Sequence, residues 1–380
     1  MMLSVIVFLG VAIAFANGSN DVSKGVATLA GSGVTNLQRA IQWGVVWTGL
    51  GSLASAVVAH AMLKAFGSGL FTSGIHITLI AALATVAGAT LWVTLSSWRG
   101  WPISTTHAII GAISGVGTLA YGLHGIRWNA IGSTLLLPLL LSLVIALALT
   151  AVIVRAWTAI APNARDCLCV TVEQPALAAG AFNSTLELAA PPSLRVETCE
   201  TRATAGHGFW GSINQLHWFT SAGTSFARGL NDSPKMVALL LAAAAIGATS
   251  APLHAPFVLA IAGGIVLGSR IAGHKVTRLL AHGITPMSHR EGFVANFVTA
   301  GLVGPGAALG LPMSTTHVAT GAIMGLALGQ GKPVDKRSIV NILLAWVVTL
   351  PFAVVFGMAV YLLLQSASPH LAAVLSAGSR

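Results

Sequence analysis

Charge is scarce in this chain. Of its 380 residues only 7% are charged, 9 of them acidic, while 55% are hydrophobic; a soluble domain carries roughly 25% charged residues. So few polar groups cannot coat the two soluble domains that the length alone would allow. A mean hydropathy of +0.84 excludes disordered, collagenous and disulfide-scaffold chains as well. The composition is that of a membrane protein. Cysteine is nearly absent too: Cys167, Cys169 and Cys199 all lie in one polar stretch. An odd count without four-ligand spacing argues against structural zinc and for reduced thiols.

Acid is the scarcer sign, which leaves a net charge of +10. The basic residues stand singly or in small groups between apolar runs, as at membrane-surface loops, and not in the dense patch that a phosphodiester backbone requires. No nucleic-acid partner is expected. The first sixteen residues end Ala14-Phe15-Ala16, which imitates a secretory cleavage site, yet no basic residue precedes Lys24 and the polar run that follows recurs later. A retained first helix is expected.

What the chain does contain is an internal repeat. Phe15-Ala16-Asn17-Gly18-Ser19-Asn20-Asp21 returns as Phe226-Ala227-Arg228-Gly229-Leu230-Asn231-Asp232, and Pro102-Ile103-Ser104-Thr105-Thr106-His107 returns as Pro312-Met313-Ser314-Thr315-Thr316-His317. Each copy of the second motif runs on into a Gly-x-x-x-Gly, Gly111 to Gly115 and Gly321 to Gly325. The offsets are 211 and 210 residues. Two unrelated motifs at nearly one spacing mark a duplication.

A hydrocarbon core of about 30 Å needs about 20 apolar residues per helix. On that measure the first repeat, residues 1–156, predicts a helix over 2–31 interrupted near Asn17, a span over 41–63, a hairpin over 75–97 and 103–120, and a long span over 128–156. The second, residues 212–380, predicts an interrupted helix over 213–247, a span over 252–269, a hairpin over 290–309 and 312–329, and a span over 338–365. Residues 157–211, with Pro162, Pro175, Pro191, Pro192 and most of the acids, predict a polar linker, mobile or lightly structured.

If each hairpin enters and leaves on one side, each half crosses the membrane three times and the odd number turns the second half over. The expected fold is an all-α polytopic membrane protein of two inverted repeats, each with an interrupted helix and a re-entrant helical hairpin. With both termini outside, Arg39, Arg155, Arg270, Lys275, Arg278, Arg290, Lys332, Lys336 and Arg337 fall inside, against Lys64, Arg127 and Arg380 outside. That imbalance follows the positive-inside rule and makes the linker cytoplasmic. Trp98, Trp101, Trp128, Trp157, Trp210 and Trp218 stand near predicted helix ends, where indole rings anchor in the headgroup layer.

A carboxylate inside a bilayer is costly unless paired or wetted, and so marks a functional candidate. Asp21 and Asp232 are the acids within the two interrupted helices, and each stands three residues before a lysine, Lys24 and Lys235, on one helical face. Internal ion pairs and cation sites are both open to them. Asn17, Asn20 and Asn231 add the hard oxygen ligands that alkali cations prefer, and Asn20 and Asn231 are candidate substrate ligands as well. Broken helices in corresponding positions of two halves point to a transport site.

The Pro-x-Ser-Thr-Thr-His element reads as a helix start, with proline in place, hydroxyls to cap free amides and a helical run behind. Its N–H groups and positive dipole end suit an anion, with Ser104, Thr105, Thr106, Ser314, Thr315 and Thr316 donating further hydrogen bonds. For His107 and His317 a packed imidazole bonded to a carbonyl and a proton relay are both open. The Gly-x-x-x-Gly pairs predict close helix contacts.

On these motifs the sequence resembles the inorganic phosphate transporter family of secondary carriers, across both halves but not the linker. Gly18-Ser19-Asn20-Asp21, Gly229-Leu230-Asn231-Asp232 and the two hydroxyl motifs carry the resemblance. It implies a phosphate site between two re-entrant hairpins, cations at the Asn-Asp motifs, termini outside and often a homodimer. A cell inner-membrane location with membrane lipid as surroundings is expected, and no cofactor beyond a coupling ion, H+ or Na+. Lys24 and Lys235 stand where many relatives carry asparagine, and Asn296 where many carry glutamate. A fixed ammonium can take the electrostatic role of sodium, so coupling is expected to lean towards protons with Asp21 and Asp232 as carriers.

The function expected is a cation-coupled phosphate permease working by alternating access. The nearest rival is a permease for sulfate or another tetrahedral oxyanion on the same fold. An intramembrane enzyme finds no His-Glu-x-x-His, Gly-x-Ser-x-Gly or Walker lysine.

Overall fold

A computed structural model describes residues 2–58, 60–67, 69–160, 167–173, 193–197, 210–244 and 251–377. Cys199, Arg380, Pro162, Pro175, Pro191 and Pro192 lie outside the described residues. The first half folds as helices α1 (Met2–Asp21), α2 (Ser23–Gly31), α3 (Leu37–Val58), α4 (His60–Gly67), α5 (Leu79–Arg99), α6 (Thr105–Tyr121) and α7 (Leu137–Ile160). The second follows the same order with α8 (Ile213–Ala243), α9 (Ala251–Ala272), α10 (His274–His282), α11 (His289–Ala308), α12 (Thr315–Gln330) and α13 (Lys336–Ala377). The linker carries strands β1 (Cys167–Glu173), β2 (Ser193–Glu197) and β3 (Trp210–Ser212), an antiparallel sheet in the order β2-β1-β3.

Six helical segments are long and apolar enough to cross a membrane: Leu3–Gly31, Leu37–Val58, Leu79–Arg99, Ala130–Ile160, Ala255–Ala272 and Lys336–Ala367. Helix α8 is absent from that set because Arg228, Asn231, Asp232 and Lys235 fall along it. Polarity is distributed as a bilayer requires. Leu140, Val144, Val152, Val347 and Leu363 are exposed, whereas Asp21, Lys24, Arg228, Asp232 and Lys235 are all buried.

The interrupted helices differ from expectation. No break occurs at Asn17; α1 and α2 are separated by Val22 alone, itself at φ −55° and ψ −31°. The turn there is merely tightened, with the Gly25 N–H reaching the Val22 carbonyl at 3.3 Å. Helix α8 runs unbroken through Gly229, Leu230 and Asn231 and past Pro234. In the first half polar side chains are bonded within one turn: Ser19 Oγ donates to Ala16 O at 2.7 Å, Ser23 Oγ to Asn20 O at 2.8 Å and Lys24 Nζ to Asn20 O at 2.9 Å. Backbone that is already satisfied gains nothing by unwinding. Irregularity appears instead over Ala130–Leu136, a wide π-type turn in which the Leu137 N–H reaches Gly132 O. Pro138 follows it, and a proline inside a helix has no N–H for the carbonyl four residues back.

Corresponding helices exchange partners between the halves. Helix α1 packs on α9 and its counterpart α8 on α3; α6 packs on α13 and its counterpart α12 on α7. Glycines allow the approach. A Cβ at Gly111 would stand 2.7 Å from Leu350 O, one at Gly115 2.7 Å from Val354 O and one at Gly321 2.7 Å from Leu143 O, and one at Gly325 would strike Leu147 O. Both Gly-x-x-x-Gly pairs are therefore close helix contacts, as expected. Gly18 lies in the same way against Ile265 and Ser269, and Gly229 against Thr48 and Ser52.

Candidate functional site

The hydroxyl motifs start helices as their sequence predicts. Ser104 precedes α6 in extended conformation and accepts from the His107 N–H at 3.4 Å; Ser314 precedes α12 and accepts from the His317 N–H at 3.2 Å. Thr105, Thr106, Thr315 and Thr316 form the first turns and are buried. Each turn is tied to the Asn-Asp motif of its own half. Asn20 Nδ2 donates to Trp101 O at 2.8 Å and to Ser97 Oγ at 3.1 Å, while its Oδ1 accepts from the Ile103 N–H at 3.2 Å. Asn231 Nδ2 donates to Met313 O at 3.0 Å. Both ends of the Asn20 amide are thereby engaged, so this side chain positions the first hydroxyl turn.

The two turns then meet. Thr316 Oγ1 donates to Ile103 O at 2.7 Å, and the His107 and His317 rings lie 4.9 Å apart between centroids. His317 Nδ1 is 3.1 Å from Leu139 O, the packed arrangement weighed from the sequence, while His107 Nδ1 has no partner among the described residues. Trp346 Nε1 seals the junction by donating to Pro102 O at 2.9 Å.

Both lysine-aspartate pairs form. Lys24 Nζ lies 2.5 Å from Asp21 Oδ1 and 2.7 Å from Asn20 Oδ1; Lys235 Nζ lies 3.3 Å from Asp232 Oδ1 and 2.9 Å from Thr106 Oγ1. One amide joins the halves. Asn17 Nδ2 is 3.0 Å from Asp21 Oδ2, 3.1 Å from Thr105 Oγ1 and 3.3 Å from Asp232 Oδ2. The Thr105 hydroxyl is also 3.4 Å from Asp21 Oδ2. The candidate ligands, charge partners and histidines named from the sequence are thus all buried, in one connected cluster or in the hydroxyl turns against it.

This cluster has donors for an anion and acceptors for a cation. The acceptors left over are Asn17 Oδ1 and Asn231 Oδ1, both buried without a partner among the described residues. No group of three or more His, Cys, Asp or Glu side chains that could hold a metal occurs among the described residues. One residue escaped the sequence reading: Arg228, 1% exposed, which stands in the second repeat where Asn17 stands in the first. A basic residue in the middle of a buried helix was the signal available.

Apolar outer faces, a buried charged centre and capped hairpin turns against it define a multi-pass helical membrane protein with a central polar site. Residues 17–357 match the family described as Phosphate transporter family, and the chain belongs to that family. Its relatives include a protein of Pyrococcus abyssi whose name assigns it to the phosphate permeases, 27% identical over 91% of this chain and 93% of its own length. Another is the inorganic phosphate transporter 2-1, chloroplastic, of Arabidopsis thaliana, 27% identical over 88% of this chain and 67% of its own length. A solved structure described as the sodium-dependent phosphate transporter shares the fold, with a TM-score of 0.73 and 22% identity over 96% of this chain and 99% of that one.

Proposed function

We propose that this chain is a cation-coupled secondary permease for inorganic phosphate in the cell inner membrane, alternately exposing a central site between two inverted repeats. Residues 1–156 and 212–380 are those repeats, joined by a cytoplasmic linker over 157–211, with both termini outside. The observation that carries the reading is the junction at Asn17, whose Nδ2 lies within 3.3 Å of carboxylates from both halves and 3.1 Å from the Thr105 hydroxyl. Membership of a phosphate transporter family supplies the substrate.

The anion is held by Ser104, Thr105, Thr106, Ser314, Thr315 and Thr316 and by the free amides of two helix starts, which replace its lost water. Asp21 and Asp232 carry the coupling charge. When either carboxylate takes a cation, negative charge facing the phosphate falls and the lysine beside it becomes available to the anion. Because Lys24 and Lys235 already occupy the carboxylates as tethered cations, the coupling ion is H+ in preference to Na+. Asn17 Oδ1 and Asn231 Oδ1 are the oxygens available to sodium. The halves rock about this site, and His107 and His317, one from each half, meet where a proton would pass between them.

The test is labelled phosphate uptake into proteoliposomes with pH and Na+ gradients imposed separately and unlabelled sulfate as competitor. Accumulation under an inward proton gradient without sodium, undisturbed by sulfate, is expected. Accumulation only with sodium overturns the coupling assignment, and displacement by sulfate overturns the substrate.

A further inference from the structure

Among the described residues, Arg228 is the buried cation of the centre that has no carboxylate in ion-pair contact. Asp21 is paired with Lys24 and Asp232 with Lys235. The guanidinium has a single weak partner, Ser269 Oγ at 3.4 Å from Nη2, and its Nε and Nη1 donors have no acceptor among the described residues. A buried guanidinium left in this state is costly, and natural structures keep such groups where a partner arrives during function.

Its location is central. Arg228 lies halfway along α8, as its repeat counterpart Asn17 lies halfway along the span Leu3–Gly31. Ser269 Oγ in turn donates to Gly18 O at 3.1 Å, which sets the guanidinium beside the residue following Asn17. With Lys24 and Lys235 the centre holds three cationic side chains against two carboxylates, a surplus of one positive charge that a monoanion neutralises.

We propose that Arg228 is a direct ligand of the transported anion, its unpartnered Nε and Nη1 donors binding phosphate oxygens in the central site. This rests on the function proposed above. Guanidinium suits the task because its planar fork matches phosphate oxygens in pairs and it stays charged when dehydrated. The two repeats then divide the labour: the position held by Asn17 bridges carboxylates, and the position held by Arg228 receives the anion.

The experiment is equilibrium binding of labelled phosphate to the full chain in detergent, with phosphate-dependent thermal stabilisation read in parallel. The wild type, Arg228→Gln and Arg228→Lys are compared. Arg228→Gln is expected to weaken phosphate binding about ten- to hundredfold. Arg228→Lys keeps the charge but not the fork, and should weaken it severalfold, with thermal stability in the absence of phosphate near that of the wild type. Unchanged affinity in folded Arg228→Gln overturns the proposal. If that variant does not fold, unchanged affinity in Arg228→Lys overturns it instead. Failure of the wild type to bind phosphate is a separate result, refuting the substrate assignment itself.

Discussion

Lys24 and Lys235 set what the two central carboxylates can do. Lys24 is held by Asp21 at 2.5 Å and by two oxygens of Asn20, whereas Lys235 is 3.3 Å from Asp232 and shared with Thr106. Removing one member of a tight buried pair strands the other charge, at about 3–5 kcal/mol. Asp21→Asn should therefore destabilise the protein by about that amount, and Asp232→Asn by less, as thermal unfolding in detergent will measure. Adding Lys24→Asn to Asp21→Asn should recover most of the lost stability while phosphate accumulation stays abolished. Recovery of accumulation in the double variant would mean that Asp21 serves only to pair its lysine. These pairs were legible because acid and base stand three residues apart on one helical face. Asn17 as the bridge between halves was not, since its partner Asp232 is 215 residues away. Arg228 was hidden for a simpler reason: in aligning the repeats it reads as a mismatch with Asn17.

Among elements, the hairpins were the most legible, because proline and a capping serine mark the starts of α6 and α12 independently of any tertiary contact. Ser104→Ala and Ser314→Ala should each cost about 1 kcal/mol of stability and lower phosphate uptake, since they loosen the turns that present the amide donors. Uptake unchanged in both would place the anion elsewhere. The helix breaks were misread. Gly18, Gly229 and the asparagines around them look like unwound backbone in sequence, yet the glycines serve close packing and the asparagines bond to side chains and hairpin carbonyls. The distinction is tertiary and has no local signature. Gly18→Ala and Gly229→Ala should each destabilise by about 1–3 kcal/mol through overpacking against Ile265 and Thr48, a loss that thermal unfolding will detect. Tolerance of both would show that α1–α9 and α8–α3 can separate without penalty. The short helices α4 and α10 were missed because their lengths fall below any span criterion.

At the scale of the whole molecule, the duplication was visible in two offsets, and the exchange of partners between halves follows from it: α1 with α9 against α8 with α3, α6 with α13 against α12 with α7. Each motif helix packs on both halves, α1 on α5 as well as α9 and α8 on α11 as well as α3. The linker separates them in sequence, and its three cysteines report its side of the membrane. A membrane-impermeant maleimide should label them in inside-out vesicles and not in intact spheroplasts; the reverse pattern would invert the orientation argued from the basic residues. The central claim is that both halves build one anion site, in which Thr105 faces the Asp21 carboxylate, Thr106 meets the Lys235 ammonium and Thr316 ties the second turn to the first. Its most direct test is a structure of the protein with arsenate, a heavy phosphate analogue. One anomalous peak touching hydroxyls of both the Ser104 and Ser314 turns is predicted, and a peak confined to one half, or outside this cluster, would contradict the account.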